Sequence, residues 1–80
     1  MDDIAIPDWV RPGTVYRIDF GKGHFATRNC HIRAIVDGDY VVSRFWSYKR
    51  RGWVYEIEMI VVLLDRARGE HFKLLRVGKE

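Results

Sequence analysis

A hairpin signal near the middle of the chain constrains the fold more than any other feature. Apolar and polar residues alternate on both sides of the dipeptide Asp37-Gly38. Alternation with a period of two places successive side chains on opposite faces of a β-strand. Asp-Gly favours a two-residue turn between antiparallel strands, so we predict a β-hairpin here. One face would carry Cys30, Ile32, Ala34, Val36, Val41, Ser43 and Phe45, and the other would carry His31, Arg33, Arg44 and Trp46.

The turn after this hairpin admits two registers. A four-residue loop pairs Ser47 with Gly52 and puts Glu56 on the apolar face, whereas a five-residue loop pairs Ser47 with Trp53. Burying an unpaired carboxylate costs several kcal/mol. An exposed cross-strand charge pair contributes only about 0.2–1 kcal/mol. The burial cost therefore favours the five-residue loop.

The five-residue loop has consequences for the core and for the charges. It gives Gly52 the positive-φ position of a bulged turn. It also places Trp53, Tyr55 and Ile57 in the core. The carboxylates of Glu56 and Glu58 could form a dyad. A solvated ion-pair network is the better interpretation, because this register puts them on one face with Arg33 and Arg44, and Glu56 opposite Arg44.

Short apolar runs predict the remaining elements. Residues 14–20 and 72–77 read as strands. Residues 58–69 fit a buried strand or a short helix ended by Gly69, and their β-branched side chains favour the strand. We predict a mainly β protein, either a small antiparallel barrel or a strongly curved sheet of about five strands, with a short helix within 58–69 as the alternative. Residues 1–8 would form an acidic arm, and residues 9–80 a single small β domain.

A segment before the first strand carries a family resemblance. Val10-Arg11-Pro12-Gly13-Thr14-Val15 resembles the entry of Src-homology-3-like small barrels of the KOW and Tudor type, in which a hydrophobic residue and a glycine lead into strand one. The resemblance covers about the first third of the chain. It implies a small-barrel fold and says little about function.

Charge and composition limit the partners and the compartment. The formal net charge is +3, and it rises to +6 for residues 9–80, because three aspartates lie in the first eight residues. Such a body favours anionic partners. The lone Cys30 and the acidic N-terminus favour a cytoplasmic protein. The longest apolar run, residues 59–64, is far shorter than the roughly 20 residues needed to span a membrane.

No motif for catalysis, metal binding or cofactor binding is recognisable. Cys30 and His31 are adjacent, so a strand directs them to opposite faces and they cannot form a nucleophile–base pair. Instead, Cys30 is predicted to be a buried structural thiol. The spacings of the histidines match no zinc pattern. The loop Gly21-Lys22-Gly23-His24 lacks the spacing of a phosphate-binding loop. We expect a protein that is not an enzyme and has no metal or cofactor.

The second hairpin is the strongest candidate for a binding site. Residues 40–55 contain no acidic side chain but hold four cations and six aromatic residues. Exposed rings beside cations suit anionic or flat partners. Once the predicted core and ion-pair residues are set aside, the candidate partner-binding residues are Trp46, Tyr48, Lys49, Arg50 and Arg51, with Lys22 as a further cation from the glycine-rich loop.

Two functions fit this pattern. The short, basic β domain with one binding hairpin resembles small accessory proteins of phages and prophages, including anti-CRISPR proteins. That resemblance implies an inhibitor that occupies a binding surface on a host protein or nucleoprotein complex. The alternative is a small barrel that binds DNA or RNA directly through the same hairpin. A homodimer that pairs across an exposed edge at residues 60–64 is compatible with both.

Overall fold

A computed structural model describes residues 5–19 and 27–79. The elements in chain order are β1 Val15–Asp19, β2 Thr27–Val36, β3 Tyr40–Ser47, β4 Gly52–Met59, α1 Ile60–Ala67 and β5 Phe72–Arg76. All five strands join one antiparallel sheet in the order β4-β3-β2-β1-β5. The predicted mainly β fold with about five strands is confirmed. Within the described chain the edge strands β4 and β5 do not pair, so the sheet stays open and the barrel alternative is not formed.

The core lies on one face of this sheet, called the inner face from here on. Helix α1 packs against it together with Val10, while Trp9 adds a ring that contacts Tyr16 and Phe72. The opposite, outer face carries no other described helix or strand. The buried apolar residues of the inner layer are Val10, Tyr16, Ile18, Cys30, Ile32, Val41, Ile60 and Leu63.

Helix α1 replaces the strand that was preferred for this segment. Ile60 and Leu63 are buried, whereas Val61 and Val62 are exposed, which is the spacing of one helical face. The chain leaves the sheet at edge strand β4 and re-enters it at the opposite edge, as β5. Crossing the inner face requires a segment that satisfies its own backbone hydrogen bonds and still buries apolar side chains, and a helix does both. Tertiary context therefore overrides the β propensity of the valines.

The turn between β2 and β3 contains three residues, so the predicted two-residue turn is wrong. Val36 pairs with Tyr40, while Asp37 and Gly38 both adopt left-handed backbone conformations, with φ of 54° and 70°. Asp tolerates this conformation better than most residues, and Gly adopts it freely. The dipeptide thus marks the turn correctly, but Asp39 also belongs to it.

A β-bulge between Ile32 and Ala34 compensates for the longer turn. The extra residue in β2 exchanges the faces on the turn side of the bulge. Ile35 packs against the core there, and Val36 is exposed. The assignment of Ala34 and Val36 to the apolar face is therefore wrong, whereas the predicted faces hold on the other side of the bulge.

The turn between β3 and β4 has four residues, which also contradicts the prediction. Ser47 pairs with Gly52, and Arg51 rather than Gly52 takes the positive φ, of 54°. The Ser47 hydroxyl accepts a hydrogen bond from the Arg50 backbone N–H at 3.2 Å and so closes the loop. With this register Tyr55 and Ile57 point outwards and are 57% and 69% exposed.

The burial argument for the longer loop fails because β4 is an edge strand. Glu56 and Glu58 do lie on the inner-face side, but at its open margin. Arg28 of β2 lies 3.6 Å from Glu56, and Arg66 of α1 lies 3.1 Å from Glu58. The carboxylates are therefore compensated, and the predicted network with Arg33 and Arg44 does not form.

Two predicted features lie partly or wholly outside the described residues. The structure does not describe residues 1–4 of the predicted acidic arm or any residue of the loop Gly21-Lys22-Gly23-His24. Within the described residues, no helix is long and apolar enough to cross a membrane.

Candidate functional site

The strand register aligns one residue from every strand in a row across the outer face. Directly opposed residues in antiparallel strands share a face, and neighbouring strands lie about 4.8 Å apart, so the row spans about 19 Å. From one sheet edge to the other, this first row contains Tyr55, Arg44, His31, Val15 and Arg76.

A second row lies two residues further along β1 to β4 and, because of a bulge, three residues further along β5, about 7 Å away. On β4 and β3 it contains Trp53 opposite Trp46, and on β2, β1 and β5 it contains Asn29, Arg17 and Lys73. The two rows therefore divide the face into halves. The aromatic half consists of Trp46, Trp53 and Tyr55, and the cationic half consists of Arg17, Lys73 and Arg76.

The rings of the aromatic half support one another edge to face. The ring centroids of Trp46 and Trp53 lie 5.4 Å apart at 85°, and those of His31 and Trp53 lie 5.4 Å apart at 81°. Such T-shaped contacts hold the rings in place. Trp46 is still 43% exposed and Trp53 40% exposed. The prediction that Trp53 and Tyr55 belong to the core is wrong, and both contribute to this surface.

Arg44 joins the aromatic half instead of the predicted ion pair with Glu56. Its guanidinium carbon lies 4.0 Å above the Trp53 ring, and its Nη1 donates a hydrogen bond to the Tyr55 hydroxyl at 3.0 Å. No carboxylate of the described chain forms an ion pair with Arg44. The ring and the hydroxyl orient the guanidinium without neutralising its charge.

The outer face is strongly basic although the net charge is modest. Among the described strand residues, the only carboxylate on the outer side is that of Asp19, at the end of β1, because Glu56 and Glu58 sit on the inner side. The pKa of His31 is lowered, mainly by burial and then by the nearby charges of Arg44, Arg76 and Arg33. His31 is therefore neutral at pH 7, in a field of positive charge.

The inner margin gathers a separate set of polar groups. Arg28 stacks over the Phe45 ring at 4.2 Å and bridges to Glu56, while Arg66 bridges to Glu58. Burial raises the pKa of Glu58, and Arg66 opposes this effect. Both glutamates form ion pairs, as predicted, but their partners are Arg28 and Arg66 and not the predicted Arg33 and Arg44.

Cys30 is buried, as predicted, and it lies on the inner face opposite Tyr16. Burial raises the pKa of its thiol to about 11. At neutral pH the thiol is protonated, and a protonated thiol is a poor nucleophile and a poor metal ligand. Among residues 5–19 and 27–79, no group of three or more His, Cys, Asp or Glu side chains could hold a metal ion.

The predicted hairpin residues separate into two groups. Trp46 belongs to the outer face, whereas Tyr48, which is 81% exposed, lies with Lys49, Arg50 and Arg51 in the solvent-exposed turn. Lys22 lies outside the described residues. A groove of about 460 Å³ links the turn to the outer face; its lining includes Arg17, Asn29, His31, Trp46, Tyr48 and Lys49.

Sequence reasoning missed the cations of β1 and β5. Arg17 stands between Tyr16 and Ile18, and Lys73 between Phe72 and Leu74, so the same alternation could have assigned both cations to a polar face. The sequence did not indicate that the strands of these two segments are neighbours in the sheet.

The chain is a mainly β protein with an open five-stranded sheet, covered on one face by a helix. Among residues 5–19 and 27–79, no helix or strand packs on its other face. Comparisons with protein-family models, curated proteins and solved structures find no match.

Proposed function

We propose that this protein is a non-enzymatic binding protein that holds nucleic acid on its outer sheet face. The observation that carries the proposal is the division of that face into exposed rings and cations without ion-pair partners among the described carboxylates. Cations bind phosphates, and aromatic side chains stack on bases. The outer face offers both the rings and the cations within about 19 Å.

The position of the acidic residues supports this choice. In the sequence, acids interleaved with basic residues after residue 55 argue against a continuous basic face. In the fold, Glu56 and Glu58 point towards Arg28 and Arg66 on the inner margin. The outer face thus retains its cations despite a net charge of only +3.

Substitution of Arg44 tests the proposal. Labelled DNA and RNA oligonucleotides are titrated with the protein at low salt, and binding is followed by fluorescence anisotropy. We expect Arg44→Gln to weaken binding about 10-fold or more, because a charge-assisted hydrogen bond to the nucleic acid is lost. Arg44→Lys keeps the charge and should recover part of the affinity.

Arg68→Gln is the matched control, because Arg68 is exposed at the end of α1, which packs on the inner face. The same chemical change there should alter the affinity less than twofold, which is about 0.4 kcal/mol. Absence of binding to either nucleic acid at low salt contradicts the proposal. So does an equal loss in the Arg44 and Arg68 variants, provided thermal unfolding shows that both are folded.

A second candidate function is inhibition of a host protein or nucleoprotein complex, as in anti-CRISPR proteins of phages. The exposed turn favours it, since Tyr48 projects from the sheet beside three cations, a composition typical of interface hot spots. The free, buried thiol of Cys30 fits a reducing cytoplasm. In a pull-down from a bacterial lysate, a partner retained equally by the wild type and by a Trp46→Ala/Arg50→Glu variant would exclude the hairpin from this mechanism.

A further inference from the structure

We infer that the outer face takes an unpaired strand, with bases on the aromatic half and phosphates on the cationic half. This inference rests on the proposed function, and it names the form of nucleic acid that the site accepts and the orientation of the strand on it.

The ring geometry of the aromatic half favours unpaired bases. Trp46 and Trp53 touch edge to face, and about two fifths of each side chain remains accessible on the outer face. A base can stack on such a ring only after it has left its own stack, as in single strands, loops and bulges. A duplex would offer this surface only its phosphates and base edges.

The size of the face suits a short segment. The rows are about 19 Å long and about 7 Å apart. Four-stranded sheets that bind RNA stack two or three bases on a platform of similar dimensions. The three rings of the aromatic half match that number. A contact of two or three bases with flanking phosphates is therefore the expected footprint.

The cationic half is arranged to hold the backbone of the strand. Arg17 and Lys73 are directly opposite each other on β1 and β5, and Arg76 lies in the neighbouring row. The Nε of Arg17 donates to the Asn29 side-chain oxygen at 3.0 Å, which orients the guanidinium and leaves its terminal nitrogens for a phosphate. No carboxylate of the described residues pairs with Lys73 or Arg76.

The groove between the two halves gives the strand a path. It is lined by Asn29 and His31 between Arg17 on one side and Trp46 on the other, and it continues to Lys49 in the exposed turn. The amide of Asn29 and the neutral imidazole of His31 can both donate and accept hydrogen bonds, which suits the edges of bases. A strand in this groove meets Trp46 on one flank and Arg17 on the other, and Arg28 and Phe45 also contribute to its lining.

The form of nucleic acid is tested by comparing a single-stranded 12-mer, as DNA and as RNA, with a hairpin duplex of the same sequence. We expect the unpaired strands to bind at least about 10-fold more tightly and to quench the tryptophan fluorescence, since rings stack only on free bases. Duplex binding that is equal or tighter overturns this inference and leaves the proposed function intact. No binding of any probe overturns both.

The roles of the two halves are tested by variants. Trp46→Ala should weaken single-strand binding about 5- to 150-fold with an unchanged salt slope, and Trp46→Phe should recover most of the affinity. Lys73→Gln/Arg76→Gln should lower the slope of log affinity against log salt by about 1.4, the value for two phosphate contacts on a single strand. The matched variant Arg68→Gln/Lys79→Gln, which makes the same charge change away from both rows, should leave the slope unaltered.

Heparin, a sulfated polysaccharide without aromatic rings, separates this site from a general polyanion site. We expect the wild type and the Trp46→Ala variant to bind heparin with the same affinity. If Trp46→Ala leaves both heparin and single-strand affinity unchanged, or if both double variants lower the salt slope equally, the division into aromatic and cationic halves is wrong.

Discussion

The buried thiol of Cys30 makes the stability of the fold sensitive to alkaline pH. Cys30 is 4% exposed and pairs across the sheet with Tyr16. Burial raises the pKa of the thiol from 9.0 to about 11, and the carboxylate of Glu56 adds to the effect. The native state therefore holds this proton at pH values at which the unfolded chain releases it.

The sign and the magnitude follow from proton linkage. Between pH 9 and pH 11 the native state binds more protons at Cys30 than the unfolded state, so the free energy of unfolding falls as the pH rises. With pKa values of 9.0 and about 11, the loss is negligible at pH 8 and about 1.4 kcal/mol at pH 10. It saturates near 2.7 kcal/mol once the pH exceeds both values, which is about two pKa units.

Urea unfolding at pH 8 and pH 10 measures this loss. The Cys30→Ala variant is the reference, because it removes the thiol and retains Tyr16, whose pKa is raised mainly by burial. We expect the wild type to lose about 1.4 kcal/mol more than Cys30→Ala over this interval. Equal losses in the two proteins would refute the reasoning, whatever the difference in their absolute stabilities.

Two further predictions concern stability. Gly78→Ala should destabilise the protein by about 2 kcal/mol or more, because a Cβ there would lie 2.1 Å from the Pro12 backbone oxygen, and overpacking against a backbone cannot relax. Thermal unfolding measures this loss. Gly69→Ala is the control, because a Cβ there would lie 3.4 Å from its nearest neighbour, the Arg66 backbone oxygen. Comparable losses of stability in the two variants would contradict the prediction. The lowered pKa of His31 means that the unfolded state takes up this proton first, so stability falls as the pH drops below about 6.5. In urea unfolding, His31→Gln should reduce the loss of unfolding free energy between pH 7 and pH 5. An unchanged dependence of stability on pH would contradict this prediction.

Alternation and turn residues are enough to predict the fold class and much of the local structure. Alternation around Asp37-Gly38 predicts the central hairpin, and its period of two identifies Cys30 as buried. These features were predictable because they depend on side chains that are close in sequence and on the geometry of a single strand. The exposure of Trp46 follows from the same local pattern.

The loop between β3 and β4 could not be derived in this way. The choice between four and five residues depends on whether Glu56 would be buried without a partner. Arg28 and Arg66, which compensate the two glutamates, come from β2 and α1. The sequence does not reveal that these cations are near, nor that β4 is an edge strand with an open margin.

The composition of the outer face depends on the order of the strands in the sheet. Tyr55 and Arg76 lie at opposite edges of the sheet in one row, although they are 21 positions apart in the sequence and a helix intervenes. Local patterns assign a residue to a face of its own strand, but the order of the strands decides which residues share that face as neighbours. The crossing of α1 over the core brings β5 to the edge beside β1, and α1 forms because burial of Ile60 and Leu63 outweighs the β propensity of their segment.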